Sequence, residues 1–423
     1  MKTLLAVISL LISATHLLAT WRARERIFSD AGAPSVVTPV IRARVQAGAD
    51  ACAKIVTAMN ALPSSGGVVD ARGFHGAETC GGVTTLSKSS VAYLFGADVI
   101  FVGTAGATLT ISGSDVTLTG AGISTLFDFS TGIGVNPAFR VTGSRVTIQD
   151  LKIIGNRVAG GSSDGIQVNS ADVVTLRNIT ITNTGGNEII ANNVSNFEVA
   201  NCTLSSSNFS GVFINPVSNG ISIHDNTVRD TNLSSTVGHG GIMTNGPRIT
   251  DVQNVSIVNN TVTQTTAGNG HVGIGANGAT GLLIRGNHVK GNGGSGEAIA
   301  FTASKARVIG NQATSSGSSG ILFFATTGFA SDFLISNNIV FSSTPGIDIQ
   351  WGSNNLSVHD GAITNNRVFG SNVGFQTQNG GSFSAPEARN IQVSGNICKG
   401  NTSAIDLQIG KDTISVFGNT RQF

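Results

Sequence analysis

Charged residues are scarce in this sequence of 423 residues. Asp, Glu, Lys and Arg make up 11% of the chain, and the formal net charge is +2. A disordered chain would carry more charge and less valine, isoleucine and leucine. A nucleic-acid-binding protein would show a basic stripe with interleaved aromatic residues, and the sequence has none. We therefore expect an ordered protein that does not bind nucleic acid.

Several residue types that mark other structural classes are also rare. The chain has 8 Pro, 2 Trp and 1 Tyr, and its 55 Gly residues follow no Gly-X-Y period, which excludes a collagen-like chain. Amphipathic helix patterns are almost absent, which argues against alternating layers of strand and helix. What remains is a β protein rich in Gly, Asn, Ser and Thr, with many short turns.

The N-terminal residues have the pattern of an export signal. Lys2 precedes an apolar run over residues 4–18, and small residues follow it. We interpret residues 1–19 as a signal peptide and residues 20–49 as an N-terminal extension. An uncleaved membrane anchor is the alternative, although the run is shorter than the span of about 20 residues that a bilayer requires. The mature protein would then be secreted, into the extracellular space or the periplasm, with no membrane segment.

The sequence contains only four cysteines. Cys52 and Cys80 flank one N-terminal segment, and export would allow them to form a disulfide. Cys202 and Cys398 fall at different positions of the repeat described next, so we expect them to be separate buried thiols.

A short pattern recurs along the chain. Two apolar residues at alternate positions are followed by a polar residue or glycine, then asparagine, a spacer and another apolar residue, as in residues 221–228. Asparagine accepts the left-handed backbone conformation, and its side chain can bond the backbone at a tight corner. Stacked copies would form a hydrogen-bonded ladder. The asparagines recur at intervals of 23 to 34 residues, at Asn226, Asn260, Asn287, Asn311, Asn338, Asn366, Asn396 and Asn419.

Each copy carries a second strand, which is usually glycine followed by apolar residues at alternate positions. Residues 165–168 and 320–323 are examples. Alternation with period 2 indicates strands that bury one face. A repeat of about 27 residues made of short strands and turns suits a coil that stacks on itself and adds one strand to each parallel sheet. We predict an all-β fold, a single-stranded right-handed parallel β-helix of about 11–12 coils over residues 50–423.

One segment has a convincing helix pattern. Residues 50–62 begin with Asp50, which can cap a helix N-terminus, and they end before Pro63. We interpret this segment as a capping helix, because the open end of a β-helix is an exposed sheet edge that must be covered.

The cap helix followed by residues 65–69, the asparagine column, and the segment that begins at Asp164 resemble the pectin-lyase-like superfamily of right-handed β-helices, in particular pectate-lyase-3-type proteins. The resemblance covers residues 50 to 420. It implies a secreted lyase, hydrolase or epimerase whose polysaccharide substrate lies across the first parallel sheet. Residues 238–240, Gly-His-Gly, match one motif of polygalacturonase-type hydrolases. The paired Asp and the Arg-x-Lys of those enzymes are absent, as is the Asp-Pro-His-Asp motif of alginate epimerases.

Two histidines form the first candidate catalytic cluster. His239 and His271 each lie three residues before an apolar anchor in adjacent coils, so their rings could be about 5 Å apart. Glu297 falls in the next coil. Histidine exchanges protons near neutral pH, and a carboxylate can tune it. The alternative is that these residues only occupy turns.

Asp164 marks a second candidate site, with Asn187 and Glu188 one coil further on. Carboxyl groups about one coil apart would suit a retaining glycoside hydrolase, and about two coils an inverting one. Asp164 should lie about three coils, near 14 Å, from His239, so the two cannot share one proton transfer directly. Glu188 could instead be a structural turn residue.

A polar stripe follows the first sheet toward the C-terminus and suits sugar hydroxyls and ring faces. The alternative is an ordinary solvated β face. The stripe consists of Asp348, Gln350, Trp351, Gln376, Gln378 and Asp406.

Two functional hypotheses stay open. The first is a secreted polysaccharide lyase or glycoside hydrolase whose substrates include uronate-containing polysaccharides. The second is a β-helix that binds a glycan or a surface without cleaving it; a phage-type fibre or an autotransporter passenger is a further alternative. In each case we expect a monomer without a cofactor. Charges are too sparse for a calcium site, which needs clustered oxygens, so we predict no metal.

Overall fold

Alternating apolar residues wind the chain into a right-handed parallel β-helix in the computed structural model. The structure describes residues 38–131, 136–158, 161–236, 238–246, 248, 250–264, 272–291, 296–315, 317–325, 330–342, 344–351, 357–379, 387–407 and 414–422. Every strand pairing in these residues is parallel. About twelve coils stack on one another, and each coil passes through three sheets in the order sheet 1, sheet 2, sheet 3. The predicted fold class is confirmed.

Sheet 1 contains the glycine-led strands. Its strands are Val83–Leu86, Thr108–Ile111, Phe139–Val141, Ile166–Asn169, Ile189–Asn192, Val212–Ile214, Gly240–Thr244, the first part of Val272–Arg285, Ile299–Ser304, Ile321–Ala325, Ile347–Trp351, Val373–Asn379 and Ser403–Leu407.

Sheet 2 precedes the asparagine corner. Its strands are Val40–Arg42, Gly67–Ala71, Val91–Phe95, Val116–Thr119, the first parts of Val146–Ile154 and Asp172–Thr182, Ser195–Ala200, Ser218–His224, Val252–Val258, the second part of Val272–Arg285, Ala306–Ile309, Ala330–Ser336, Ser357–Thr364, Glu387–Ser394 and Ile414–Phe417.

Sheet 3 follows the asparagine corner. Its strands are Gly76–Cys80, Val99–Gly103, Thr125–Asp128, the second parts of Val146–Ile154 and Asp172–Thr182, Thr203–Ser205, Thr227–Arg229, Thr261–Thr263, His288–Lys290, Gln312–Ser315, Ile339–Ser342, Arg367–Phe369, Ile397–Lys399 and Thr420–Gln422. A short 3-10 helix, Gly122–Ser124, precedes one of them.

Inward-facing side chains of the three sheets fill the coil. Ile166, Ile189 and Val212 on sheet 1 have 0% exposure, and the equivalent residues of sheets 2 and 3 are buried in the same way. Cys202 and Cys398 are free thiols inside this core, and burial raises their pKa values to about 12 and about 11. The core is therefore one continuous apolar column, as stacked repeats require.

The eight asparagines form a single file at the corner between sheets 2 and 3. The Nδ2 of each donates to Oδ1 of the next at 2.9 to 3.0 Å, and each backbone N–H donates to the same Oδ1 at 2.8 to 3.0 Å. The expected backbone role was wrong, however. The left-handed residue is the one before each asparagine, such as Asp225 (φ 57°), Asn259 (φ 56°) or Gly286 (φ 65°). That residue turns the chain, and the asparagine fills the corner.

An α-helix, Ala51–Ala61, lies at the N-terminal end of the helical stack. Asp50 caps it, because its Oδ1 accepts from the Ala53 N–H at 2.8 Å, and its Oδ2 accepts from the Gly81 N–H at 2.9 Å. A disulfide joins Cys52 to Cys80. The disulfide and the Asp50 carboxylate, which accepts hydrogen bonds from both segments, thus join the helix to the end of the first strand of sheet 3.

The predicted start of the β-helix at residue 50 was too late. The strand Val40–Arg42 pairs in parallel with Val68–Asp70 of the next coil, so part of the expected N-terminal extension already belongs to sheet 2. The predicted signal segment, residues 1–19, lies outside the described residues. Among the described helices, none is long and apolar enough to span a membrane.

Candidate functional site

The turn that leads from sheet 3 into sheet 1 places three polar residues in one file. The register of sheet 1 aligns Ile166 with Ile189 and Ile189 with Val212. The residues two positions earlier, Asp164, Asn187 and Ser210, therefore stack from coil to coil, about 4.8 Å apart.

Hydrogen bonds join this file to His239 in the following coil. Oδ1 of Asp164 accepts from the backbone N–H of Asn187 at 2.7 Å and from its Nδ2 at 3.1 Å. Oδ1 of Asn187 accepts from the Ser210 N–H at 3.0 Å, and Ser210 Oγ lies 3.1 Å from His239 Nδ1. The two predicted sites, Asp164 and His239, are thus the two ends of one polar chain.

Two phenyl rings clamp the imidazole of His239. Its ring lies 4.7 Å from that of Phe209 at an interplanar angle of 22°, and 4.9 Å from that of Phe213 at 29°. Burial lowers the pKa of His239 below its usual 6.5, because desolvation disfavours the charged form. The ring is therefore held in one orientation and is neutral near pH 7.

The tautomer of His239 depends on Ser210. The Gly240 N–H donates to Ser210 Oγ at 3.2 Å, and the second lone pair of that oxygen can accept from Nδ1–H of His239. In this tautomer Nε2 is unprotonated, and no side chain of the described residues forms a hydrogen bond with it. The arrangement can therefore accept a proton at Nε2.

Asp164 lies at the edge of a small recess. Burial raises the pKa of its carboxyl to about 6, partly opposed by its hydrogen bonds from Asn187. A Cβ at Gly186 would lie 2.5 Å from Asp164 Oδ1, so glycine at this position leaves room for the carboxylate. The recess is lined by Gly106, Ala107, Phe129, Asn136, Ala138, Gly155, Asn156 and Ser163.

Glu188 does not join Asp164 as a second carboxylate. Glu188 comes directly after Asn187 in the chain, and the equivalent residues of the neighbouring coils are Gly165 and Gly211. A Cβ at Gly211 would contact the inward-facing Val228, so this position points toward the core. Glu188 itself has 0% exposure. Neither of its carboxyl oxygens has a hydrogen-bond partner among the described residues. The pair of carboxylates that a retaining or inverting hydrolase needs is therefore not formed here.

Glu297 is not brought to His239. Its Oε1 accepts from Ser318 Oγ at 3.0 Å, and burial raises its pKa. The register aligns Gly240 with Val272 and Ile274 with Ile299, which puts Glu297 about two coils, near 10 Å, beyond the His239 coil. His271 lies outside the described residues.

The polar stripe at the C-terminal end of sheet 1 shares one register. Asp348, Gln376 and Asp406 are aligned, and so are Gln350 and Gln378. Asp348 departs from the expected open face, since it is only 1% exposed. Its Oδ2 accepts from Ser319 Oγ at 3.2 Å and from Gln350 Nε2 at 2.5 Å. The side chains of Trp351 and Gln378 lie outside the described residues.

Sequence reasoning missed Ser210, Phe209 and Phe213 as functional residues. The register signal for Ser210 was available, because it lies two residues before the anchor Val212, as Asp164 lies before Ile166. Alternation places Phe213 on the outward face of sheet 1, but its contact with His239, like that of Phe209, depends on how the turn folds. Within the described residues, no group of His, Cys, Asp and Glu side chains is arranged to hold a metal ion.

Comparison with known proteins supports the fold. The family described as right handed beta helix region matches residues 79–268 and 210–396, which together span most of the chain. No curated protein matches the chain.

Solved structures match with low sequence identity. The catalytic unit of a GH87 alpha-1,3-glucanase from Streptomyces thermodiastaticus is 14% identical with a TM-score of 0.50, over 93% of this chain and 71% of that one. The Dettilon tailspike protein gp208 is 15% identical with a TM-score of 0.50, over 75% and 62%. The Azotobacter vinelandii mannuronan C-5 epimerase AlgE6 A-module is 14% identical with a TM-score of 0.48, over 90% and 99%. At such identities the likeness is one of fold.

Proposed function

Because the chain belongs to the right-handed beta helix family, we propose that its sheet 1 face acts on an extracellular polysaccharide. The observation that carries the proposal is the chain from Asp164 through Asn187 and Ser210 to the clamped His239. A polar file of this kind beside aromatic rings suits a sugar, which offers hydroxyl groups and apolar C–H faces. The aligned Gln376 and Asp406 extend the polar surface toward the C-terminus.

The chemistry that this geometry supports best is elimination by proton abstraction. Nε2 of His239 takes the proton from the sugar carbon next to a carboxylate, and the electron pair of that C–H bond forms a C=C bond as the glycosidic C–O bond breaks. The proton then passes from the imidazolium, directly or through water, to the leaving sugar oxygen. A neutral imidazole is the form that can act as base, and burial keeps His239 neutral. Ser210 orients the ring, and Asp164 acts on it only through Asn187 and Ser210, as a positioning residue.

Replacing His239 with alanine should lower the elimination rate about 100-fold, since positioned general bases contribute about 10² to 10⁴. The measurement is the release of unsaturated, ultraviolet-absorbing products from polygalacturonate and alginate, with a neutral glucan alongside. The wild-type rate should rise with pH through the acid range with a midpoint below the usual histidine pKa of 6.5, because burial lowers the pKa of His239. Asp164→Ala removes the first hydrogen bonds of the polar chain and should lower the elimination rate about tenfold.

His359→Ala is the matched control, because His359 also bonds a neighbour, Asp360, at 2.7 Å but lies on sheet 2. It should leave the rate unchanged. New reducing ends without ultraviolet absorbance would identify a hydrolase instead. Undiminished rates in both His239→Ala and Asp164→Ala would reject the site.

A non-catalytic glycan-binding protein is the second candidate. The observation that favours it concerns the side chains around His239. Among the described residues, neither a cation that could neutralise a uronate carboxylate nor a carboxylate contacts the ring. If no product appears from any polysaccharide while binding persists and is lost in Phe209→Ala, this second function replaces the first.

Export of the protein is part of the proposal. The Cys52–Cys80 disulfide supports it, since such bonds persist mainly in oxidising compartments. The apolar run at residues 4–18 supports it as well. N-terminal sequencing of the protein recovered from the culture medium or the periplasm would test both secretion and the predicted cleavage near residue 19.

A further inference from the structure

The C-terminal half of sheet 3 carries charge of one sign. Its six last strands, from His288–Lys290 to Thr420–Gln422, contain no Asp or Glu. Lys290, Arg367 and Lys399 are exposed on them, and no acidic side chain of the described residues forms an ion pair with these three cations. In a chain with so few charges, this face is a local concentration of positive potential.

An exposed aromatic pair lies among these cations. The rings of Phe341 and Phe369 stack with centroids 5.2 Å apart at an interplanar angle of 20°, and Phe341 is 39% exposed. Ile339, 38% exposed, lies on the neighbouring outward row. Most large apolar side chains of the described coils are inward and buried, and a cluster left in water marks an interaction surface.

The strand register arranges these groups in two parallel rows. One row runs Lys290, Thr314, Phe341, Phe369, Lys399, and at about 4.8 Å per strand its two lysines are about 19 Å apart. The second row runs through Ile339, Arg367 and Ile397.

A shallow recess borders the second row. Asn337, Asn365 and Arg367 are among the residues that line it. The surface therefore offers the exposed edges of a stacked aromatic pair, cations on both sides of the pair, and amide groups beside it.

We propose that this sheet 3 platform, made of Lys290, Ile339, Phe341, Arg367, Phe369 and Lys399, binds a chain of acidic polysaccharide along the helix axis. The apolar C–H groups of sugar rings would contact the exposed edges of the two stacked phenyl rings, and carboxylates would pair with the lysines and the arginine. Charge complementarity and the exposed apolar pair carry the assignment. It rests on the proposed function in taking polysaccharide as the ligand, and it deepens that function by naming the acidic class and a second sheet.

The test is binding of polygalacturonate and of its fully methyl-esterified counterpart, which has the same backbone without charge. The triple variant Phe341→Ala, Arg367→Ala, Lys399→Ala should raise the Kd for polygalacturonate about tenfold or more, because exposed aromatic and cationic contacts are lost together. The wild-type protein should bind the esterified polymer weakly. Binding to polygalacturonate should weaken with NaCl, since exposed charges are screened within about 10 Å at 0.1 M.

Arg42→Ala is the matched control, since Arg42 is an exposed cation on the first sheet 2 strand and should leave the Kd unchanged. His359→Ala, on sheet 2, should also leave it unchanged. An unaltered Kd in the triple variant, or equal binding of the esterified polymer, would overturn the proposal. Equal binding of DNA or anionic phospholipid vesicles through the same residues would overturn it too. If platform binding stands while His239→Ala leaves turnover intact, the sheet 1 function alone has failed.

Discussion

Replacing Asn311 with alanine should lower the free energy of unfolding by about 5 kcal/mol. The Asn311 side chain makes four hydrogen bonds in the middle of the ladder. Its Nδ2 donates to the Ile284 carbonyl and to Asn338 Oδ1, and its Oδ1 accepts from N–H and Nδ2 of Asn287. Asn311 is 1% exposed, so water cannot replace these partners. Each buried group left without a partner costs about 1–3 kcal/mol. Denaturant unfolding of both proteins measures the difference.

Two variants serve as controls for the ladder. Asn419→Ala removes the last rung, where the side chain is half-buried and water can reach the freed groups, so it should cost about 1 kcal/mol. Asn337→Gly changes the left-handed residue before Asn338 (φ 56°) to one that adopts this conformation without strain. It should be close to neutral. Equal losses in Asn311→Ala and Asn419→Ala would show that the ladder does not stabilise the coil in the way described.

The ladder also shows how far the sequence predicts this fold. Strand alternation and a repeated corner residue specify the stack, because a slip by one residue would turn every apolar side chain outward. The role of the residue before each asparagine was misassigned, since Asp225, Asn259 and Gly286 share no residue type. Their common property is a tolerance of positive φ, and only backbone angles reveal that they use it.

The sequence predicts where the residues of the candidate site lie along sheet 1, but it does not predict the hydrogen bonds between them. The register placed Asp164 and His239 on the same edge about three coils apart, and the structure connects them through Asn187 and Ser210. The sequence cannot supply such links, because turns between sheets 3 and 1 differ in length from coil to coil. Asp348 illustrates the same limit. Alternation assigned it to an outer face, but Ser319 and Gln350 cover it.

Replacing Glu188 with methionine should stabilise the protein by about 1–3 kcal/mol, since a buried polar group without a partner costs about that much, and should remove part of its pH dependence. Burial raises the pKa of the Glu188 carboxyl well above its usual 4.5. The folded protein therefore holds this proton more tightly than the unfolded chain does. Below pH 4.5 both states are protonated and the group adds no pH dependence. As the pH rises from there to the folded-state pKa, the free energy of unfolding falls by up to about 1.4 kcal/mol per pH unit.

Asp164→Asn separates this effect from that of the other buried acid in the same turns. The pKa of Asp164 is raised to about 6, so its contribution to the slope lies between its usual 3.8 and about 6, whereas Glu188 contributes from 4.5 up to its own raised pKa. In unfolding measured from pH 4 to pH 9, the slope that Glu188 contributes should persist in Asp164→Asn and disappear in Glu188→Met. Glu188→Gln should also remove the slope, with a smaller gain in stability, because its buried amide still lacks partners. A pH dependence that is unchanged in both Glu188 variants would mean that the carboxyl reaches water, and that the coil tolerates charge where neighbouring coils have glycine.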